Sequence, residues 1–377
     1  MAAFSVLLDA TAVPADRGGV GRYVDGLVGA LARMEAELSL VCQRLDAERY
    51  RQLAPNANVV AGPGAIAHRS ARLAWEQTGL PLVAEQVKAD LIHCPAYTMP
   101  IAAGRPVVVT VHDATMFSQP EFLPSVRGTF LRSATRTSLR RSARCIVPSK
   151  ATRNELVRLL DADATRLDVA YHGVDVETFH PPSEQETRKV ANRLGLHGRP
   201  YVAFLGALEP RHNVPGLVRA WMEAARDRES PPALVLAGGP GWDDAVDQAI
   251  AEVPLHLRVV RPGYLRYQDL RGFLGGALVV AYPSFGEGFG LPVLEAMACG
   301  APILTTHRLS LPEVGGDAVL YAEPDVESLT AGLNVLFDDE ERRRDLGAAA
   351  HVRSREFTWE ASADAHLAIW ARAVALE

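Results

Sequence analysis

The segment GEGFGLPVLEAMACG at positions 286–300 places two carboxylates, Glu287 and Glu295, in a glycine-rich stretch that runs into a helical pattern. Pro292 suits the first turn of a helix, where its missing N–H would have no partner, and Gly300 suits the end. The free N–H groups at such a helix start favour an anion such as phosphate. Carboxylates close to a phosphate would serve better as acceptors for sugar hydroxyls. The spacing alone also fits an ordinary strand-to-helix turn with a solvated glutamate.

The elements that would position these carboxylates follow from an alternation of short apolar runs and helical patterns. The strand candidates are FSVLLDA, LSLVC, LIHCP, PVVVTVHD and CIVPS in the first half, and YVAFLGAL, ALVLAGG, LRVVRPG, LVVAYPS and APILTT in the second. Near-continuous apolar strands separated by helices predict parallel sheets covered on both faces. Two such sets in 377 residues, 48% of them hydrophobic, predict two doubly wound α/β domains.

The predicted domains are residues 1–180 and 181–358, followed by an amphipathic helix over 359–377. The boundary is placed at Pro181 and Pro182, because they follow the strand-like segment LDVAYH and precede the helical pattern ETRKVANRLGL. The paired prolines also mark one border of a predicted hinge.

Charge and cysteine content exclude several classes of protein. The net charge of −6 disfavours non-specific binding to nucleic acid, which depends on an excess of Lys and Arg. The four cysteines are far apart, so we expect buried reduced thiols rather than a zinc site or a disulfide framework. The chain start has no basic residue before Asp9 and predicts a first strand rather than a signal peptide. No apolar stretch is long enough for a membrane span, and we expect a cytoplasmic protein.

The glycine-rich segment GEGFGLPVLEAMACGAPIL resembles the E-x7-E motif of retaining glycosyltransferases of family four, which have the GT-B fold. Six further segments resemble that family in the same order along almost the whole chain. They are GGVGRY at 18–23, VTVHD at 109–113, VPSKATRNEL at 147–156, YHGVDVETFHP at 171–181, LGALEPRHN at 205–213 and SLPEVGGDAVLYAEP at 310–324.

The resemblance implies an α/β GT-B architecture of two Rossmann-like, doubly wound domains that face each other across a cleft. A nucleotide-diphosphate sugar would bind mainly to the C-terminal domain, and the acceptor mainly to the N-terminal domain. The last helix would cross back to pack on the N-terminal domain. The donor is a substrate, and we expect neither a cofactor nor a metal.

The resemblance also implies roles for residues of the glycine-rich segment. Glu295 would accept hydrogen bonds from the ribose hydroxyls, and Glu287 would bind hydroxyls of the transferred sugar. The N–H groups of Phe289, Gly290 and Leu291 would lie near the sugar and the phosphates.

Residues of the first half would complete the site. His112 follows an apolar strand and would position the donor sugar and the reaction centre by hydrogen bonding. Asp113 would orient the local loop. Gly18 and Gly19 would let their loop close over the diphosphate, although a lone GGVG is a weak signal.

The segment EPRHN departs from the family, which commonly has Arg-Lys-Asn after Glu-Pro. Arg211 keeps the arginine, but His212 stands where the lysine would help to neutralise the diphosphate. An unperturbed histidine is mostly neutral near pH 7, whereas lysine is charged. Stabilisation of the leaving group would therefore depend mainly on Arg211, backbone N–H groups and the helix start.

The segment SVRGTFLRSATRTSLRRSARC at 125–145 is rich in arginine and contains no acid. Helical spacing places several arginines, among them Arg132, Arg136 and Arg140, on one face. A solvated basic helix explains this pattern, and so does contact with a lipid-diphosphate acceptor or an anionic membrane surface.

The sequence therefore predicts a retaining, metal-independent hexosyltransferase with a glycan, lipid-linked or small-molecule acceptor. GDP-mannose is the first candidate donor, because LGALEPR is similar to mannosyltransferase-like members, and UDP- and dTDP-hexoses are rivals. The location would be cytoplasmic, with a possible peripheral contact at the inner face of the membrane and no nucleic-acid partner. The alternatives are a soluble-sugar synthase or phosphorylase of the same fold, and a nucleotide-sugar-binding subunit with weak or no activity.

Overall fold

The computed structural model describes residues 4–14 and 17–375. The described chain divides into two compact units. The first comprises the chain up to Gly173 and from Thr358 onward, and the second is Val174–Phe357. Each unit contains one parallel β-sheet with helical connections, which confirms the predicted α/β class and the two Rossmann-like domains.

The first unit has a seven-stranded parallel sheet. Its strands are β1 (Val6–Asp9), β2 (Leu38–Cys42), β3 (Asn58–Ala61), β4 (Leu91–Cys94), β5 (Val107–Thr110), β6 (Arg144–Val147) and β7 (Leu167–Val169). Its helices before Gly173 are α1 (Gly18–Arg33), α2 (Ala47–Leu53), α3 (Arg69–Gln86), α4 (Thr115–Ser118), α5 (Ser125–Arg141) and α6 (Lys150–Leu160). The strand order β3-β2-β1-β4-β5-β6-β7 reverses direction between β1 and β4.

The sheet of the first unit is buried on both faces. Val6 and Leu8 of β1 belong to one hydrophobic cluster, and Leu7 between them belongs to another. Successive side chains of a strand point to opposite faces, so the uninterrupted apolar run of β1 fills both cores.

The second unit repeats this plan with a six-stranded parallel sheet. Its strands are β8 (Tyr201–Leu205), β9 (Ala233–Ala237), β10 (Val259–Gly263), β11 (Val279–Tyr282), β12 (Ile303–Thr306) and β13 (Leu320–Ala322). Its helices are α7 (Glu184–Arg193), α8 (Val214–Ala225), α9 (Ala245–Ala251), α10 (Leu270–Gly275), α11 (Leu291–Ala298), α12 (Leu311–Gly315), α13 (Val326–Asp338) and α14 (Glu340–Ser354). The order β10-β9-β8-β11-β12-β13 reverses direction between β8 and β11.

All ten apolar runs predicted as strands contain a strand of the structure. Strand β3 was not predicted, because its segment NVVA is short and carries no long apolar run. It pairs with β2 at the edge of the sheet, and its residues are exposed or half-buried.

The last helix, α15 (Trp359–Val374), packs within the first unit. Trp359 and Trp370 join the same buried cluster as Tyr23 of α1. The Trp359 ring lies so close to Gly26 of α1 that a Cβ there would overlap it.

A buried hydrogen-bond chain ties α15 to the sheet. The Tyr23 hydroxyl lies 2.7 Å from His366 Nε2 and 2.9 Å from Thr110 Oγ1. His366 Nδ1 donates to the Ser362 carbonyl at 2.6 Å, so Nε2 of the neutral ring accepts from Tyr23. His93 Nε2 lies 2.9 Å from Thr110 Oγ1 and extends the chain to β4.

The unit boundary at Gly173 lies before the predicted boundary at residue 180. The intervening segment packs with the second unit, where Val174 donates to the Phe357 carbonyl at 3.0 Å and Phe179 meets the Tyr267 ring edge-on. Pro181 and Pro182 therefore lie inside the second unit, and the hinge border at these prolines stays a prediction. A proline pair indicates a break in regular structure. It does not indicate whether the residues before the break pack with the first unit or with the second.

The four cysteines are buried and free, as predicted. Within residues 4–14 and 17–375, no helix combines the length and the apolar character that a membrane crossing requires.

Candidate functional site

Three predicted site residues of the second unit, Arg211, His212 and Glu287, meet where its strand order reverses. Arg211 and His212 lie in a short 3-10 helix, Pro210–His212, after β8, and Glu287 lies in the loop after β11. The two loops are joined because Phe285 N and Ser284 Oγ lie 2.8 Å and 3.0 Å from the Arg211 carbonyl oxygen. In open α/β sheets, the carboxyl ends of strands at such a reversal form the ligand crevice.

The side chain of Glu287 has several polar contacts in this site. Arg211 Nη1 donates to its Oε2 at 3.0 Å, and His212 Nε2 lies 3.3 Å from its Oε1. The hydroxyls of Ser284 and Tyr282 lie 2.8 Å and 3.2 Å from the same Oε1. Its backbone is also fixed, because Ser310 Oγ donates to its carbonyl at 2.8 Å. The carboxylate is thereby held in one orientation.

These contacts keep Glu287 ionised although it is only 6% exposed. Burial by itself would raise the pKa of Glu287, but the charge of Arg211 and the hydrogen bonds from His212 and Ser284 outweigh it. The pKa falls to about 2. The site therefore presents a buried anion, and hydroxyl groups are the natural donors to such a carboxylate.

Helix α11 begins at Leu291, four residues after Glu287. Gly290 is its N-cap with φ of 100°, a conformation that favours glycine, and a Cβ there would lie 2.9 Å from Leu311 Cδ2. Pro292 occupies the first turn and Gly300 follows the end with φ of 71°, as the sequence predicts. Phe289 and Leu291 flank the cap.

Glu295 lies on α11 and is 3% exposed. The sequence places it on the helix that starts at the glycine loop, and the structure agrees. Its charge contributes to raising the pKa of the nearby Cys299 thiol, an effect due mainly to burial.

His112 belongs to the first unit and follows β5. Its Nε2 lies 2.6 Å from the Pro95 carbonyl oxygen, which can only accept, so Nε2 carries the proton. Burial lowers the pKa of His112, and the bond to Pro95 and the charge of Asp113 oppose this only in part. The neutral ring presents Nδ1 as a hydrogen-bond acceptor.

The Asp113 carboxylate accepts hydrogen bonds from Thr115 and Tyr97. Its Oδ1 accepts from the backbone N–H and the hydroxyl of Thr115 at 3.1 Å and 2.8 Å, and its Oδ2 accepts from Tyr97 Oη at 3.0 Å. These contacts fix the loop that carries His112.

Gly18 and Gly19 do not form the predicted loop, because they are the first two residues of α1. Gly18 has φ of 41°, and a Cβ on Gly19 would meet nothing within 4 Å. The loop was expected because the two glycines follow the strand-like run FSVLLDA and resemble the glycine loop of the family, but the first turn of a helix tolerates glycine.

The three candidate arginines of α5 have different surroundings. Arg132 is half-buried and donates to the Met116 carbonyl at 3.3 Å. Arg136 is exposed, with its guanidinium 5.1 Å from the centre of the Phe117 ring. Arg140 is exposed on the last turn. Of these three, Arg136 and Arg140 are exposed and Arg132 is half-buried.

Two family models match the chain. "Glycosyltransferase Family 4" covers residues 17–178, and "Glycosyl transferases group 1" covers residues 186–353. The O-antigen chain mannosyltransferase B of Escherichia coli is 32% identical over 280 residues, which is 72% of each chain. The chain belongs to glycosyltransferase family 4.

Other relatives and solved structures resemble this glycosyltransferase over most of its length. The D-inositol 3-phosphate glycosyltransferase of Frankia alni is 28% identical over 92% of this chain and 93% of its own. Sucrose-phosphate synthase from Thermosynechococcus elongatus has a TM-score of 0.81 at 20% identity, over 99% and 100% of the two chains. The Anabaena HepE structure with UDP and glucose has a TM-score of 0.77 at 19% identity, over 98% and 99%. These structures show the GT-B fold.

Ser284, Tyr282 and Ser310 contact Glu287 in this glycosyltransferase, and the sequence analysis missed all three. Ser284 and Tyr282 were read only as part of the preceding strand run. Ser310 lies after β12, and nothing in its local sequence indicates that it approaches Glu287. A serine three residues before a glycine-flanked acid was the one available signal.

In the part of the glycosyltransferase that the structure describes, no group of three or more His, Cys, Asp and Glu side chains is arranged to hold a metal ion.

Proposed function

We propose that this glycosyltransferase is a retaining hexosyltransferase that needs no metal and uses a nucleotide-diphosphate sugar, with GDP-mannose as the first candidate. The observation that carries the proposal is the fixed, ionised Glu287 beside Arg211 and the start of α11, at the reversal of the second sheet. The mannosyltransferase that is 32% identical supports mannose as the sugar.

Each group at this reversal has one proposed task. Glu287 accepts hydrogen bonds from hydroxyls of the transferred sugar, and Glu295 accepts them from the ribose. Arg211 and the N–H groups of Phe289, Gly290 and Leu291 stabilise the diphosphate, since a guanidinium and a helix start both favour an anion.

In the proposed reaction, the acceptor hydroxyl attacks the anomeric carbon on the face from which the nucleoside diphosphate leaves. The bond from the anomeric carbon to the phosphate oxygen breaks as the new glycosidic bond forms. A phosphate oxygen of the leaving group takes the hydroxyl proton, and the anomeric configuration is retained. The chain supplies positioning and electrostatic stabilisation, without a covalent intermediate.

His112 is proposed to hold the donor sugar. Because its Nε2–H is committed to the Pro95 carbonyl, the neutral ring would accept a sugar hydroxyl at Nδ1. Gly18 and Gly19 at the start of α1 are proposed to lie near the diphosphate.

The proposed acceptor is a glycan or lipid-linked hydroxyl compound, reached from the cytoplasmic side of a membrane. Exposed Arg136 and Arg140, together with Val126 at 83% exposure, support a weak peripheral contact of α5 with anionic lipid. Flotation with vesicles of anionic or neutral phospholipid tests this contact. Binding to anionic vesicles should fall in Arg136→Gln/Arg140→Gln, and equal binding of the variant and the wild type would contradict it.

The donor is tested by thermal unfolding with GDP, UDP, dTDP and ADP at equal concentration, without metal. A ligand at about 100 times its dissociation constant adds about 2.7 kcal/mol of stability. A selective rise in the unfolding temperature with GDP supports GDP-mannose as the donor. A selective rise with another nucleotide supports the sugar conjugates of that nucleotide instead. No rise with any nucleotide would contradict the proposed function.

Turnover is then followed by proton NMR of the product with the sugar conjugate of the selected nucleotide. Retention predicts that the anomeric configuration of the donor persists in the product. Inversion would refute the retaining assignment, and loss of turnover on adding EDTA would refute metal independence.

A further inference from the structure

His212 occupies the position where the family commonly has a lysine, but its contacts differ from those expected of a diphosphate ligand. Nδ1 lies 2.6 Å from the Ala207 carbonyl oxygen, and Nε2 lies 3.3 Å from Glu287 Oε1. Both ring nitrogens are therefore directed at groups of the protein.

The packing holds the His212 ring in this place. The residue is 3% exposed, and its ring centre lies 6.0 Å from that of Phe204 and 5.5 Å from that of Tyr282. A lysine has a flexible four-carbon stem that can extend toward a ligand, but a buried ring between two aromatic rings cannot.

The hydrogen bond to Ala207 determines how His212 interacts with Glu287. A carbonyl oxygen only accepts, so Nδ1 carries a proton. Nε2 faces the Glu287 carboxylate and lies 3.3 Å from Oε1, which is the distance of an ion pair when the ring is protonated. The other charged groups at this carboxylate are Arg211 and, through Arg211, Glu209, whose Oε2 accepts from Arg211 Nε at 2.9 Å.

We infer that His212 is a positioning residue for Glu287 and not a ligand of the donor diphosphate. This inference rests on the proposed role of Glu287 as the group that binds the transferred sugar. It assigns the cationic stabilisation of the diphosphate to Arg211 and the start of α11. His212 affects the sugar end of the donor because its Nε2 lies against Oε1, which also accepts from Ser284 and Tyr282, while Arg211 Nη1 bonds Oε2.

Two amide substitutions separate the contacts of His212. In His212→Asn the amide N–H replaces the donor at Nδ1 and keeps the bond to Ala207, but it does not reach Glu287. In His212→Gln the amide N–H takes the place of Nε2 and keeps the contact with Glu287. The two variants have the same charge and similar polarity, so each is the control for the other. Arg211→Gln is the control for diphosphate binding.

The measurements are the Kd of GDP by calorimetry and the kcat and KM with GDP-mannose, or with the nucleotide and sugar conjugate selected by the donor panel. Loss of a polar contact to a buried carboxylate corresponds to about a 10- to 100-fold effect. We expect His212→Asn to lower kcat by about that factor while the Kd of GDP stays within about threefold of the wild type. His212→Gln should recover most of the lost kcat, and Arg211→Gln should weaken GDP binding.

Weaker GDP binding in both amide variants would overturn the inference, because it would place His212 on the diphosphate. A His212→Gln variant with a kcat as low as that of His212→Asn would also overturn it. If the wild type binds no nucleotide, the proposed function fails. The contact is then read from the ¹⁵N resonances of His212, where Glu287→Gln should shift Nε2 and leave Nδ1 bonded. An unshifted Nε2 resonance would overturn the inference independently of activity.

Discussion

The buried histidines of the first unit predict that stability falls as the pH is lowered from about 7.5 to 5. His366 is fully buried, and desolvation is the main cause that lowers its pKa from 6.5 to about 4, although the bond to the Ser362 carbonyl opposes it. Burial likewise lowers the pKa values of His93, His112 and His172. Between the two pKa values of His366 the unfolded chain binds the proton and the folded chain does not, so acid favours unfolding.

The magnitude follows from the two pKa values of His366. Its contribution is fully present above the unfolded pKa of 6.5 and is lost as the pH falls toward the folded value of about 4. One pKa unit corresponds to about 1.4 kcal/mol, so His366 alone should remove on the order of 2 kcal/mol between pH 7.5 and 5. The other three histidines act in the same direction.

The assay is urea unfolding followed by tryptophan fluorescence across this pH range, since the ring centre of Trp370 lies 5.9 Å from that of His366 and Trp359 belongs to the same cluster as Trp370. His366→Gln keeps an acceptor for Tyr23 and removes the titrating ring. The free energy of unfolding of the variant should therefore vary less with pH than that of the wild type, by about 2 kcal/mol. His68→Gln, at an exposed histidine of the same unit, is the control. A pH-independent difference between wild type and His366→Gln would refute the reasoning.

Three further substitutions test single contacts. Glu287→Gln should lower kcat/KM about 10- to 100-fold, because the sugar hydroxyls lose a charged acceptor, and an unchanged kcat/KM would count against its role. Gly290→Ala should cost about 1–2 kcal/mol in urea unfolding because its φ is 100° and Leu311 is close, whereas Gly64→Ala, with nothing within 4 Å, should cost less. Equal losses would be evidence against backbone strain. Tyr23→Phe should cost about 1–3 kcal/mol by leaving the buried Nε2 of His366 without its donor, and wild-type stability would contradict this.

The architecture could be predicted because the strand signal is local and recurs along the chain. Each central strand is a short apolar run, and both faces of a parallel sheet are buried, so the pattern is visible without knowledge of the neighbours. The start and the end of α11 could also be predicted, since proline at 292 favours the first turn of a helix and glycine at 300 favours its end. The edge strand β3 was missed because its residues are only half-buried and carry a weak signal.

The unit boundary and the start of α1 could not be predicted from the sequence and are known only from the tertiary structure. Proline at 181 and 182 indicates an irregular segment, but only packing decides that Val174 and Phe179 join the second unit. Glycine at 18 and 19 fits both a loop and a helix start, and the structure has the helix.

The sequence by itself determined the two α/β units and the helix after the glycine-rich turn, because local periodicity and backbone restrictions specify them. It thereby also placed Glu287 in the turn and Glu295 on the helix. Only the tertiary structure decided that His212 faces Glu287, that Ser284 and Ser310 secure the same residue, and that His366 is buried beside Tyr23. These contacts join residues whose sequence separations carry no periodic signal. Their energies depend on burial and orientation, which exist only after the sheets have formed.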